Sequence, residues 1–141
     1  MKKLLIPIFV IVLAFNCNTN ASAQAPDAVK KTFQSKYPGE NDPDWHKDAN
    51  GYYEANFKID GIKYRADFKA DGSWVETETS IDKKDLPKAI KKVIESKFKD
   101  EDITEVEKVQ SATKGEFYDV EFKQKGKNKD VEFRADGTII N

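Results

Sequence analysis

The sequence after position 25 contains two copies of a similar segment. Residues 26–37 read P-D-A-V-K-K-T-F-Q-S-K-Y and residues 87–98 read P-K-A-I-K-K-V-I-E-S-K-F, with six of twelve positions identical at an offset of 61. The similarity resumes at an offset of 65, where residues 53–76 align with residues 118–141. Two repeats are fewer than a solenoid needs, so this pattern predicts two related modules in one closed unit.

Each copy opens with a proline followed by apolar residues at helical spacing. Pro26 and Pro87 suit the first turn of a helix, where the missing N–H costs no hydrogen bond. The residues that share one helical face are Ala28, Val29, Thr32, Phe33 and Tyr37 in the first copy and Ala89, Ile90, Val93, Ile94 and Phe98 in the second. The spacing predicts one amphipathic helix per copy.

After each helix the apolar residues alternate with polar ones, which predicts antiparallel strands. Asp60-Gly61 and Asp71-Gly72 are typical of the turns between such strands. The predicted strands are 45–47, 53–59, 62–68 and 74–81 in the first copy and 106–109, 117–123, 129–134 and 138–140 in the second. The fold class is therefore α+β, with two tandem modules that each pack one helix on a four-stranded antiparallel sheet.

The change of offset from 61 to 65 places four extra residues in the second copy. They correspond to the short turn at residues 49–51, which becomes residues 110–116. Insertions are tolerated best in surface loops. We therefore expect a longer hairpin loop at residues 110–116.

The first 23 residues have the features of a signal peptide. Lys2 and Lys3 precede an apolar run at residues 4–15, which is too short to cross a bilayer, and residues 21–23 read A-S-A. We expect cleavage after Ala23, modules at residues 24–81 and 82–141, and a periplasmic or secreted protein. Cys17 is the only cysteine. A lipid anchor at Cys17 is the alternative, although the preceding residues match the lipid-attachment pattern poorly.

The helix pattern P-x-A-[VI]-K-K-x-[FI]-x-S-K-[YF], the alternating aromatic strands and two F-[KR]-A-D-G-[ST] turns resemble the beta-lactamase-inhibitor-like, PepSY-like family of exported bacterial proteins. The resemblance covers residues 24–141. It implies that the modules join as one continuous curved sheet and that the protein binds a partner. The beta-lactamase inhibitor has disulfides, whereas residues 24–141 contain no cysteine. No inhibitory residue can be carried over.

Composition argues against several function classes. Residues 24–141 carry 22 basic and 25 acidic side chains, a balance that gives no indication of nucleic acid or an anionic membrane as a partner. His46 is the only histidine, and one histidine without partners does not define a catalytic site. Residues 42–50 are rich in Asp and Asn but do not fit the calcium-loop spacing. We expect a monomer with no metal, no cofactor and no enzymatic activity.

Aromatic and charged residues on the polar side of the predicted sheet form the candidate binding site. The residues assigned to it are Tyr52, Lys63, Arg65, Asp67, Trp74, Glu76 and Phe117. Trp, Tyr and Arg are frequent anchors of protein interfaces. The charges could instead form cross-strand pairs while the aromatics fill the seam between modules.

The preferred function is an exported, non-enzymatic binding protein, either an inhibitor or a protein-interaction module, that acts through the open sheet face. Its partner is expected to be another protein, such as an envelope or extracellular enzyme. The alternatives are a structural or ligand-sensing envelope component and a small carboxylate-based hydrolase.

Overall fold

The computed structural model describes residues 24–141 and has an α+β fold with two helices and one seven-stranded antiparallel sheet. The elements in chain order are α1 (Asp27–Lys36), β1 (Asp44–Lys47), β2 (Tyr53–Ile59), β3 (Ile62–Phe68), β4 (Trp74–Ser80), α2 (Lys88–Lys97), β5 (Ile103–Ser111), β6 (Gly115–Phe122) and β7 (Lys129–Phe133). The strands lie in the sheet in the order of the chain, and a 3-10 turn at Lys83–Asp85 precedes α2. Both predicted helices are confirmed.

The two helices cover one face of the sheet. Val29 and Phe33 of α1 pack with β2 and β3, and Ile90 of α2 packs with the strands that follow it. The buried residues beneath α1 are Ala55, Phe57, Ala66 and Phe68, and those beneath α2 are Val106, Tyr118, Val120, Phe122, Val131 and Phe133. The β4–β5 pairing joins the two halves without a break, so these residues share one face.

The extra residues of the second copy lengthen two strands instead of forming a long loop. β5 runs to Ser111 and β6 begins at Gly115, whereas β1 has only four residues. β1 lies at the edge of the sheet, while β5 pairs with a strand on either side. Gln110 and Ser111 pair with Thr77 and Glu76 of β4, so the inserted backbone groups find partners in the ladder. The expected loop at residues 110–116 is therefore wrong.

The strand predicted at residues 138–140 reduces to a single bridge between Phe133 and Ile139. Ile140 N–H donates to the Glu132 carbonyl, but Glu132 N–H donates to the Asn141 side chain. A side chain thus takes the place of a backbone partner, and the ladder does not continue. Three strands follow α2 rather than the predicted four.

The predictions for residues 1–23, namely the signal peptide, its cleavage after Ala23 and the lipid-anchor alternative at Cys17, lie outside the described residues. Within residues 24–141, neither helix is long and apolar enough to cross a membrane.

Candidate functional site

The sheet face opposite the helices, called the open face below, carries rows of polar side chains from neighbouring strands. In one row Glu54 pairs with Asp67, which pairs with Glu76. In the next row Arg65 of β3 pairs with Glu78 of β4. Residues directly opposite each other in antiparallel strands share a face. The meander therefore assembles side chains from distant parts of the chain on one surface.

Arg65 is the central cation of this surface. Its Nη2 donates to Glu78 Oε1, and its Nε lies 3.8 Å from Asp67 Oδ2. Burial lowers the pKa of the Arg65 guanidinium, but Glu78, Asp67 and other nearby carboxylates raise it by more than burial lowers it. The net change is therefore upward. Arg65 therefore stays charged and binds two strands together electrostatically.

Glu78 lies beside a second carboxyl group, that of Glu107 on β5. Burial raises the pKa of Glu78 to about 9, although Arg65 opposes the change, and the charge of Glu107 contributes to the increase. Burial and the charge of Glu105 likewise raise the pKa of Glu107. Both shifts favour the protonated forms of two neighbouring carboxyl groups.

These groups line a cavity of about 210 Å³ on the open face, called the acidic pocket below. Its lining residues are Arg65, Glu78, Glu105, Glu107, Asp119, Glu121 and Asp130. Burial, together with the charges of Asp130, Glu132 and Glu107, raises the pKa of Asp119 to about 6. Glu78 Oε2 and Asp119 Oδ1 are buried and have no hydrogen-bond partner. The acidic pocket thus contains acceptors that the described chain leaves unsatisfied.

A larger depression of about 510 Å³ adjoins the acidic pocket at the β2–β3 turn and shares Glu105 with it. Ile62 lines this depression and is 45% exposed, and Ile59 across the turn is 37% exposed. Two large aliphatic side chains exposed together beside a charged pocket are typical of an interaction surface.

The four charged residues among the seven predicted binding residues lie on the open face. Arg65 and Asp67 are partly buried in the ion-pair network, and Lys63 is exposed at the margin of the large depression. Glu76 lies opposite Asp67. Arg65 alone among them also lines the acidic pocket.

The placement of Trp74 on the open face is wrong. Trp74 pairs with Phe68, and its indole Nε1–H donates to Thr77 Oγ1 at 2.9 Å, on the face that the helices cover. Thr77 also hydrogen-bonds Tyr37 at the end of α1, and Lys36 Nζ lies 3.8 Å from the centre of the Trp74 ring. A β-bulge in β4 changes the side to which Trp74 points.

Phe117 and Tyr52 also differ from exposed binding residues. Phe117 lies opposite Val109 on the open face, but it is only 3% exposed. Tyr52 precedes β2 and is half-buried, and its N–H donates to the Asp48 carboxylate at 2.7 Å. Phe117 packs within the molecule, and Tyr52 is part of the turn before β2.

Sequence reasoning missed most of the acidic pocket. Glu78 and Glu107 stand on either side of α2 in the chain and meet only because β4 and β5 are neighbours. The alternation of Glu76 with Glu78 and of Glu105 with Glu107 was the available signal. Combined with edge-to-edge joining of the two copies, it places four carboxyl groups on adjacent strands of one face.

The expectations for metal ions and catalysis concern other residues. In the part of the chain from 24 to 141, no three His, Cys, Asp or Glu side chains are arranged to hold a metal ion. The Asp48 carboxylate accepts hydrogen bonds from the backbone of Asn50 and Tyr52, which is turn chemistry. His46 Nε2 lies 3.1 Å from Asp44 Oδ2, two residues away on the edge strand β1.

The sequence model of the family described as "Putative beta-lactamase-inhibitor-like, PepSY-like" matches residues 51–141. The chain belongs to this family. The match includes β2 to β7 and α2, and therefore every residue of the acidic pocket. A comparison with curated proteins gives no match.

Several solved structures have the same fold. A structure from Bacteroides eggerthii described as "putative periplasmic proteins" is 23% identical, with a TM-score of 0.75 over 84% of this chain and 88% of that chain. A DUF2874 family protein from Bacteroides ovatus is 23% identical, with a TM-score of 0.74 over 84% and 86% of the two chains. A BLIP-like protein from Bacteroides fragilis is 22% identical, with a TM-score of 0.71 over 86% of each chain. At this identity the similarity concerns the fold.

Proposed function

We propose that this protein is an exported, non-enzymatic binding protein, an inhibitor or interaction module, that holds another protein on its open face. The observation that carries the proposal is the contrast between the two faces of the sheet. Both helices pack on one face, while the open face carries the acidic pocket, and the exposed Ile59 and Ile62 lie on the helix-covered side, at the β2–β3 turn. Exposed apolar side chains at the margin of a polar surface are usual in protein interfaces.

The proposal includes an architecture and a location. The two copies act as tandem modules at residues 24–81 and 82–141, and residues 1–23 direct export to the periplasm or the medium. Membership of an inhibitor-like family and the fold shared with a Bacteroides eggerthii structure described as periplasmic support these points. A structural or ligand-sensing role in the envelope is the alternative within the same location.

The test compares two charge reversals of equal size on opposite faces. Lys58→Glu with Lys63→Glu changes two exposed lysines of the open face, and Lys31→Glu with Lys92→Glu changes exposed lysines on α1 and α2. Partners are captured from the source envelope and culture fluid, purified, and titrated against each protein. We expect the open-face variant to lose at least about tenfold in affinity, or about 1.4 kcal/mol.

A stoichiometric partner that the helix-face variant retains and the open-face variant loses supports the proposal. Equal binding by both variants would place the interface elsewhere, and broad, weak binding to peptidoglycan would favour the structural or sensing role.

A small carboxylate-based hydrolase is the second candidate, favoured by the raised pKa of Asp119, because general acids must keep a proton near neutral pH. The acidic pocket, at about 210 Å³, is smaller than the roughly 300–1,000 Å³ typical of small-molecule sites. This size favours the protein-binding role over the hydrolase. Release of soluble fragments from purified peptidoglycan by the wild type, and not by Asp119→Asn, would decide for the hydrolase.

A further inference from the structure

We propose that the acidic pocket receives one arginine side chain of the protein partner. The inference rests on the proposed function, because it names the chemistry that the open face recognises.

The first support comes from acceptors that the fold buries without a donor. Glu78 is only 7% exposed and lines the pocket, yet its Oε2 has no hydrogen-bond partner. Asp119 Oδ1, in the same lining, is equally unpaired. Folded proteins pair nearly all of their buried polar atoms. Two such oxygens in one cavity can accept hydrogen bonds from a ligand that brings N–H groups with it.

The second support is the charge of the lining. Arg65 is its one cation against six carboxyl groups, and Arg65 already contacts Glu78 and Asp67. Glu121 accepts a hydrogen bond from the neutral amide of Asn128 at 2.8 Å, which adds no positive charge. Burial and the charges of Asp130, Glu132 and Glu107 raise the pKa of Asp119. A cationic group would complete both the hydrogen bonding and the charge balance.

Arginine fits this demand better than other cations. Its guanidinium presents five N–H donors in a planar fork and is less strongly hydrated than an ammonium group, so it reaches separated carboxylate oxygens and enters a half-enclosed pocket readily. The cavity of about 210 Å³ suits one side chain rather than a whole small molecule. Among residues 24–141 no carboxyl cluster is arranged to hold a metal ion.

The test uses two probes that differ only in charge. N-acetyl-arginine methylamide and its neutral counterpart N-acetyl-citrulline methylamide are titrated into the protein expressed from the full sequence, and backbone amide shifts are followed by NMR. We expect saturable shifts at Glu107 and Asp119 with the arginine probe and none with citrulline. Glu107→Gln and Asp119→Asn should each weaken binding by about tenfold, while Glu95→Gln on α2, an identical change at an exposed site, should leave it unchanged.

Absence of shifts with arginine, equal shifts with citrulline, or binding that Glu107→Gln and Asp119→Asn leave unchanged would overturn the inference. The same spectra show whether each variant is folded. A partner held through Lys58 and Lys63 but insensitive to Asp119→Asn would refute the arginine site alone. If the arginine probe binds at the pocket but the open-face variant keeps its full affinity for the partner, the proposed function is refuted instead.

Discussion

An ideal Cβ atom on Gly72 would lie 2.7 Å from the carbonyl oxygen of Ala28 in the first turn of α1. The second copy repeats the arrangement, since a Cβ on Gly137 would lie 3.1 Å from the Ala89 carbonyl in α2. Both glycines have positive φ, +89° and +90°. The repeated A-D-G turn therefore brings its backbone against the start of the helix in each copy, which explains glycine at both positions.

Gly72→Ala should strongly destabilise the protein. A side chain at this φ costs roughly 1–2 kcal/mol, and the Ala28 backbone cannot move away as a flexible side chain could. We expect a loss of about 3 kcal/mol in the free energy of unfolding, measured by urea denaturation. Gly137→Ala should cost less, because its nearest approach is longer.

Gly51→Ala is the matched control. Gly51 has a φ of +88°, and an added Cβ would meet nothing within 4 Å. It therefore reports the strain of positive φ alone, about 1–2 kcal/mol. Equal losses for Gly51→Ala and Gly72→Ala would show that contact with Ala28 contributes nothing.

The stability of the protein should fall as the pH rises from 5 to 8. Burial raises the pKa of Asp67 and of Asp119 to about 6 and that of Glu78 to about 9. The folded state then binds more protons than the unfolded state, so the stability that these groups provide is complete below pH 4. The contribution of the two aspartates is lost as the pH rises to about 6, and that of Glu78 as the pH rises to about 9.

Urea denaturation at pH 5 and pH 8 measures this change, which we expect to be on the order of 1–3 kcal/mol. Asp71 and Asp136 have lowered pKa values, because backbone hydrogen bonds favour their charged forms, but they titrate below this window. Asp119→Asn should flatten the dependence up to about pH 6, where the contribution of Asp119 ends. A free energy of unfolding that increases with pH would contradict the prediction.

The sequence was sufficient for the helices and most strands because burial of one face imposes a period on the apolar residues. Ala55 and Phe57 show this in β2, where both are buried by α1. The same rule failed at Trp74. Asp67 pairs with Glu76 but Phe68 pairs with Trp74, so Val75 is the extra residue of a bulge that changes the face of Trp74. Alternation alone carries no signal for such a bulge.

The candidate site was less predictable than the fold because it depends on which strands become neighbours. Arg65 and Asp67 could be assigned to the polar face from β3 alone. The acidic pocket needs β3 to β7 in the correct order, since Glu78, Glu107 and Asp119 come from three different strands. The sequence pattern also does not show which open-face residues are buried. Phe117 has the parity of an open-face residue and yet is enclosed.

Trp74→Phe should reduce stability without changing partner affinity. The substitution keeps an aromatic ring but removes the Nε1–H that donates to Thr77, a loss of about 0.5–1.5 kcal/mol. Thermal unfolding measures the first effect and titration with the captured partner the second. If a fully folded Trp74→Phe variant lost affinity, Trp74 would be part of the binding surface after all.

Phe117→Ala and Ile62→Ala should separate folding from binding. Phe117 is 3% exposed, so its truncation should cost about 3–5 kcal/mol through lost burial and the cavity that remains. Ile62 is 45% exposed, so Ile62→Ala should change stability by about 0.5 kcal/mol but weaken partner affinity at least about tenfold. Denaturation and partner titration of both variants provide the two readouts. If Ile62→Ala left affinity unchanged, the exposed turn of β2 and β3 would lie outside the interface; if Phe117→Ala left stability unchanged, Phe117 would not be part of the packed interior.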